Sequence, residues 1–239
     1  MFTTLGIERG NIENAVIRVS EEIEINSNHI KSWVDLTEKQ LWTELVGCIL
    51  GSQVKFETSE ACVAHLNRMG LLRIKPLIEN SDSESIIENE LKKQIYPPFK
   101  GERGSMYRYY KSKSSMIIKT AISIYKTNMT TIKSVLIKSN DEFDARDKLI
   151  DMCFGIGMKQ ASLFLRNVNY SRRLAILDSH VIKFMSELNL YHFEKTVTKT
   201  RYMYAEKILR KYSDSLDKDL ATLDVAIWIV MKVVKEEFS

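Results

Sequence analysis

The sequence is poor in the residues that bend or cross-link a chain. Of 239 residues, only 9 are Gly, 3 are Pro and 3 are Cys. With 44% apolar and 28% charged residues, this scarcity excludes a collagen-like, low-complexity or disordered chain and disfavours a turn-rich β-sandwich. Cys48, Cys62 and Cys153 are scattered, odd in number and never spaced C-x-x-C. They exclude a disulfide framework, a cysteine zinc site and a four-cysteine iron–sulfur cluster, and they fit a reducing cytoplasm. Long hydrophobic runs are also missing. The longest, Val225–Val234, contains Lys232 and falls far short of the ~20 residues that cross a bilayer. The first thirty residues alternate apolar with charged and show no secretory signal.

Acidic residues are nearly absent from one block. Residues 100–139 carry nine Lys and Arg against Glu102 alone, a local charge of +8. Residues 1–99 stand at −5 and residues 140–239 at +1, within a net charge of +4. Such a block is either a solvated helix face or a face that contacts phosphates.

What the chain does contain is helical periodicity. Thr37 reads as an N-cap with Gln40 as its capping-box partner, followed by Leu41, Leu45, Cys48 and Ile49 at helical spacing. Further helices are expected near 57–68, 83–91, 105–125 and 132–137. Another is capped by Asn140 or Asp141, and others run over 160–168, from 179, over 199–212 and over 220–234. Ala15–Ile25 alternates enough for a short strand or an irregular helical turn, and Tyr96–Gly101, with paired prolines, is a loop. The sum is an all-α chain of about ten helices without internal repeats.

One stretch carries chemistry. Phe154-Gly155-Ile156-Gly157-Met158-Lys159 lies between two amphipathic helices and reads as a helix-hairpin-helix. Two glycines allow a tight turn and let a phosphate approach the backbone. The helix start that follows offers unpaired N–H groups. Such a hairpin grips the DNA backbone without reading sequence. Lys159 stands at that helix start, an unfavourable place for a cation with no task. Asp178 follows in Leu177-Asp178-Ser179-His180, where an Asp is also a favoured N-cap.

The Lys–Asp pairing across Phe154–His180 resembles the HhH-GPD superfamily of DNA base-excision glycosylases. Within it, GIGMKQASLFLRNVNYSRRLAIL, residues 155–177, is most similar to the type-2 8-oxoguanine DNA glycosylases. Ala161-Ser162, Phe164-Leu165-Arg166-Asn167, Ala175-Ile176 and Asp178 match that pattern, and Leu223–Trp228 resembles the family's final helix. The resemblance runs from about Trp42 to Val234 and leaves residues 1–35 outside. It implies a two-lobed helical fold with the active site in the interlobe cleft. Residues 34–171 would form a helical barrel lobe ending in the hairpin, and 1–33 with 172–239 the second lobe.

The resemblance also implies an activity, a bifunctional DNA glycosylase/AP lyase of base-excision repair that removes 8-oxoguanine. Lys159 would be the nucleophile, forming a Schiff base that permits β-elimination, and Asp178 the essential carboxylate. Gly155, Gly157, Arg108, Lys111, Lys113 and His180 would contact DNA, and Gln53 would fill the gap left by the flipped base. Trp228 would stack on the extruded purine and Asp224, its i−4 neighbour, would accept a purine N–H. The family places its C-terminal carboxylate near the base; this sequence ends Lys235-Glu236-Glu237-Phe238-Ser239 and departs from the family's short basic end.

No cofactor and no metal is expected, since the lysine supplies the nucleophile. The expected partner is double-stranded DNA with a damaged base, bound by a monomer in the cytoplasm at the nucleoid, with no membrane involved. Two other readings remain. The same chemistry could act on a deazapurine or an oxidised pyrimidine, or the chain could be a non-catalytic DNA-binding accessory protein.

Overall fold

The computed structural model describes residues 8–26, 32–95, 105–193 and 197–237. The chain divides into two compact units, residues 32–168 and residues 1–31 with 169–239.

In the first unit, α2 (Glu38–Leu50) is the central helix and packs on neighbours that follow it in sequence. Thr37 caps it as expected. Its hydroxyl accepts the Gln40 N–H at 3.3 Å, and the Gln40 side chain accepts the Thr37 N–H at 2.8 Å. Leu41, Trp42, Leu45, Val46 and Ile49 are fully buried, so most of this helix is core. Around it lie α3 (Phe56–Arg68), α4 (Ile74–Glu79), α5 (Ser83–Lys92), α6 (Tyr110–Ala121), α7 (Ile132–Ile137), α8 (Glu142–Met152) and α9 (Met158–Asn167). Asp141 is the cap of α8, accepting the N–H groups of Phe143 and Asp144.

The helix expected over 105–125 begins later than its apolar pattern suggests. Ser105–Met106 (β2) pairs antiparallel with Gln94–Ile95 (β1). Tyr107 is then buried with its hydroxyl donating to the Leu50 carbonyl. At its far end α6 widens into a π-helical turn, Ile122–Thr127. The proline loop at Tyr96–Gly101 lies outside the described residues.

The second unit contains α1 (Arg9–Asn26), α10 (Ser179–Glu187), α11 (Lys199–Ser215) and α12 (Leu220–Glu237). A strand within Ala15–Ile25 is not found. Ile12, Val16 and Ser20 are buried at i, i+4 and i+8, and this stripe seats α1 on α12. The helical period overrides a local alternation because α12 offers one long apolar partner. No described helix is long and apolar enough to cross a membrane.

Candidate active site

The hairpin of the first unit is built from both of its flanks. After α8, the Phe154 N–H donates to the Thr120 hydroxyl of α6 at 2.9 Å. Gly155 follows with φ +77°, a left-handed conformation that a side chain resists. A Cβ there would also collide with the Met116 sulfur. Gly155 is therefore fixed twice, by backbone angle and by space.

Gly157 differs from the expected second turn glycine. Its backbone is extended (φ −113°, ψ −171°), which any residue adopts, and nothing lies within 4 Å of a Cβ built on it. It is the N-cap of α9 with no side-chain cap. The first turn of α9 thus starts without a side-chain cap, the arrangement from which helix starts bind anions.

Lys159 is the second residue of α9 and is half-buried. Cys48 of α2 reports its surroundings. Burial and then Glu44 push that thiol well up, while the charges of Lys159 and Arg166 pull it down. Lys159 thus stands beside the C-terminal half of α2. That same helix end leads to Gln53, which is exposed with φ +67°. A non-glycine residue in the left-handed region is uncommon, and Gln53 shares it with Met129, Asn169, Asn189 and Asp217.

The basic segment separates into two kinds of residue. Arg108 and Lys111 are exposed, with the Arg108 guanidinium 5.1 Å from the Tyr109 ring centre. Lys113 is 6% exposed, and burial lowers its pKa. It belongs to the buried stripe of α6 with Ser114, Ile117, Ile118 and Ala121. Lys113 thus differs from Arg108 and Lys111, with which it is grouped as an expected phosphate contact.

In the second unit Asp178 is the N-cap of α10. One oxygen, Oδ1, accepts both the His180 N–H at 2.8 Å and the Val181 N–H at 2.9 Å. Among the described residues Oδ2 has no hydrogen-bond partner. The His180 and Trp228 rings lie 6.2 Å apart, centre to centre, in an edge-type contact, so part of the His180 surface is spent on the fold. Trp228 is 36% exposed, with Lys232 Nζ 4.9 Å from its ring centre.

Asp224, expected to accept a purine N–H, is bound to the backbone of its own unit. It is 2% exposed, and its Oδ2 accepts the Ile176 N–H at 3.0 Å. The final carboxylate lies outside the described residues. Among the described residues no group of three or more His, Cys, Asp or Glu could hold a metal ion.

Sequence reasoning missed Met116 and Thr120, which seat the hairpin, and Tyr202 and Glu206, which bind the backbone before Asp178. None sits in a motif. Met116 and Thr120 share the i, i+4 face of α6, but nothing in that spacing names the hairpin as their partner.

A family model described as 8-oxoguanine DNA glycosylase matches residues 23–218. The 8-oxoguanine DNA glycosylase/AP lyase of Sulfolobus acidocaldarius is 31% identical over 192 residues, covering 80% of this chain and 82% of that protein. The protein of the same name from Thermoplasma acidophilum is 34% identical over 129 residues, 54% of this chain and 59% of that one.

Two solved structures share the fold. The 8-oxoguanine DNA glycosylase of Thermotoga maritima superimposes with a TM-score of 0.71 at 24% identity, covering 94% of this chain and 98% of that one. The Methanocaldococcus jannaschii 8-oxoguanine glycosylase/lyase, solved with a 15mer DNA containing 8-oxoguanine, gives 0.69 at 24%, covering 91% and 97%.

Proposed function

The chain belongs to the 8-oxoguanine DNA glycosylase family, and from that premise we propose how its own residues carry the reaction. The protein is a DNA glycosylase/AP lyase acting on 8-oxoguanine in double-stranded DNA. The observation that carries this reading is the hairpin. A left-handed Gly155 braced by Met116 leads through an uncapped helix start to Lys159.

The uncapped N–H groups of α9 bind a DNA phosphate, with Gly157 leaving room for it. Arg108 and Lys111 add phosphate contacts that position the duplex. Gln53 enters the stack in place of the extruded base. Trp228 offers the exposed part of its ring to the purine.

The chemistry follows from the amine. Lys159, in its neutral form, attacks C1′ of the damaged nucleotide. The C1′–N9 bond breaks, and the base leaves with the electron pair and takes up a proton. Oδ2 of Asp178 faces the positive charge that develops on the sugar. Ring opening gives a Schiff base between Lys159 and C1′. Loss of the C2′ proton then expels the 3′ phosphate and nicks the strand. No metal is needed, because the lysine takes the place of an activated water. We place the protein at the nucleoid of the cytoplasm and expect it to act as a monomer.

The test is a duplex with one 8-oxoguanine, followed for free base and for the strand end. Release of 8-oxoguanine together with a β-elimination end supports the reading. Release without nicking removes the lyase step. Nicking only at a preformed abasic site removes the base assignment.

A further inference from the structure

Asp178 is the last residue of an extended segment that has no strand beside it. Leu174–Leu177 is buried, each residue 5% exposed or less. A buried extended backbone must satisfy its N–H and C=O groups somewhere. Here side chains take its N–H groups, and the Asp178 N–H turns back onto the Ile176 carbonyl at 2.7 Å. The Ala175 N–H donates to Glu206 at 3.0 Å, the Ile176 N–H to Asp224 at 3.0 Å and the Leu177 N–H to the Tyr202 hydroxyl at 3.2 Å. That hydroxyl in turn donates to the Ala175 carbonyl at 2.7 Å.

All three side chains are buried, at 4% or less exposed, and they come from α11 and α12. Upstream, the Arg210 guanidinium donates to the Arg173 carbonyl at 3.2 Å and the Ala221 N–H to the Arg172 carbonyl at 3.1 Å. Every residue from 175 to 177 is thus fixed by a side chain distant in sequence, and the next residue is Asp178. Hydrophobic burial alone would hold such a segment loosely along its length. Three directional bonds set its register, and Asp178 Oδ1 then closes the cap of α10. With both ends of the turn determined, the direction of Oδ2 is determined as well.

We propose that Tyr202, Glu206 and Asp224 form a clamp that positions Asp178 for the reaction, so that these three buried side chains control the rate without touching the DNA. The inference rests on Asp178 being the carboxylate that faces the sugar. Tyr202 is its best probe, since Tyr202→Phe removes one hydroxyl and keeps the ring. A displacement near 1 Å of a reacting group can cost up to about a hundredfold in rate.

The experiment is a double-mutant cycle on the full chain. Single-turnover excision of 8-oxoguanine from a duplex is timed for wild type, Tyr202→Phe, Asp178→Asn and the double variant. Tyr202→Phe should slow wild type between about ten- and a hundredfold. It should leave the Asp178→Asn rate within about twofold. Binding to a duplex with an uncleavable abasic analogue should stay within about twofold of wild type. Asp224→Asn, which keeps an acceptor, should retain most activity, and Asp224→Leu should fall as Tyr202→Phe does.

Equal losses in both backgrounds, or a loss of binding in place of rate, would overturn the clamp. So would no loss at all. If Asp224 reads the base instead, Asp224→Leu will impair 8-oxoguanine excision far more than cleavage of an abasic site. If Asp178→Asn itself leaves excision unchanged, the underlying role of Asp178 falls and the clamp with it. If the double variant is too slow to time, amide exchange decides. Faster exchange confined to residues 175–181 in Tyr202→Phe supports the clamp, and faster exchange throughout α11 and α12 overturns it.

Discussion

Two helix starts in this molecule are finished in opposite ways. At α10, Asp178 turns one carboxylate oxygen onto two backbone N–H groups, so the helix is capped from within. At α9, Gly157 supplies no side-chain cap, and among the described residues nothing lies within 4 Å of a Cβ built on it. The thermodynamic logic differs accordingly. A capped start is stable alone, whereas an uncapped start leaves N–H groups and a partial positive charge for an external anion. The first places a carboxylate; the second leaves room for a phosphate, with a lysine one residue inside the helix. Stability and function are joined at Asp178 and separated at the hairpin.

The largest expected effect comes from removing the amine. Lys159→Gln should lower 8-oxoguanine release at least about a thousandfold, while its stability in urea moves by less than about 0.5 kcal/mol. A variant that keeps even a tenth of the activity would remove Lys159 from the reaction.

Asp178 offers the sharpest use of the comparison, because its two duties can be divided. Asn caps a helix as well as Asp, so Asp178→Asn should keep its stability and lose most excision activity. Asp178→Ala should lose the activity and a further ~1 kcal/mol of stability. If Asp178→Asn unfolds as readily as Asp178→Ala in a denaturant titration, the carboxylate is not the cap that the geometry describes.

The hairpin glycines should separate in the same manner. Gly155→Ala forces a side chain into the left-handed region and onto Met116, at a cost of about 2–4 kcal/mol. Adding Met116→Ala should recover only the steric part. Gly157→Ala should cost under about 1 kcal/mol, yet weaken binding to undamaged duplex about three- to tenfold by crowding the phosphate. Equal destabilisation by the two substitutions would end the distinction between turn glycine and phosphate glycine.

The smallest effect concerns the basic segment. Arg108→Ala should reduce the slope of log affinity against log salt by about one. Lys113→Met, at a buried position, should change that slope little. A matching loss from Lys113 would restore it to the phosphate-contacting face.

The features legible in the sequence are those that rest on local pattern. The α2 capping box, the apolar stripes of α2 and α9, the hairpin and the Asp before α10 all have signatures within a few residues. What stayed hidden depends on pairing across the chain. Lys113 sits in a run of Lys and Arg, and only the packing of α6 shows that it faces inward. Asp224 and Trp228 share a helical spacing that suggests a common ligand, but the backbone of Ile176 takes the aspartate. The short strand or irregular helical turn expected over Ala15–Ile25 is part of a long helix because its partner, α12, lies far downstream in the chain. Charge and periodicity fix what a residue can do, while long-range contacts decide which of those uses is realised.

One particular amine is held to join the DNA, and that can be tested directly. Borohydride reduces a Schiff base to a stable crosslink, so the wild-type protein can be trapped on a duplex carrying one 8-oxoguanine, digested and mapped by mass spectrometry. The expected result is a single modified peptide with the adduct on Lys159, absent from Lys159→Gln. An adduct on another lysine, Lys113 included, or no crosslink on either 8-oxoguanine or an abasic site, would contradict it.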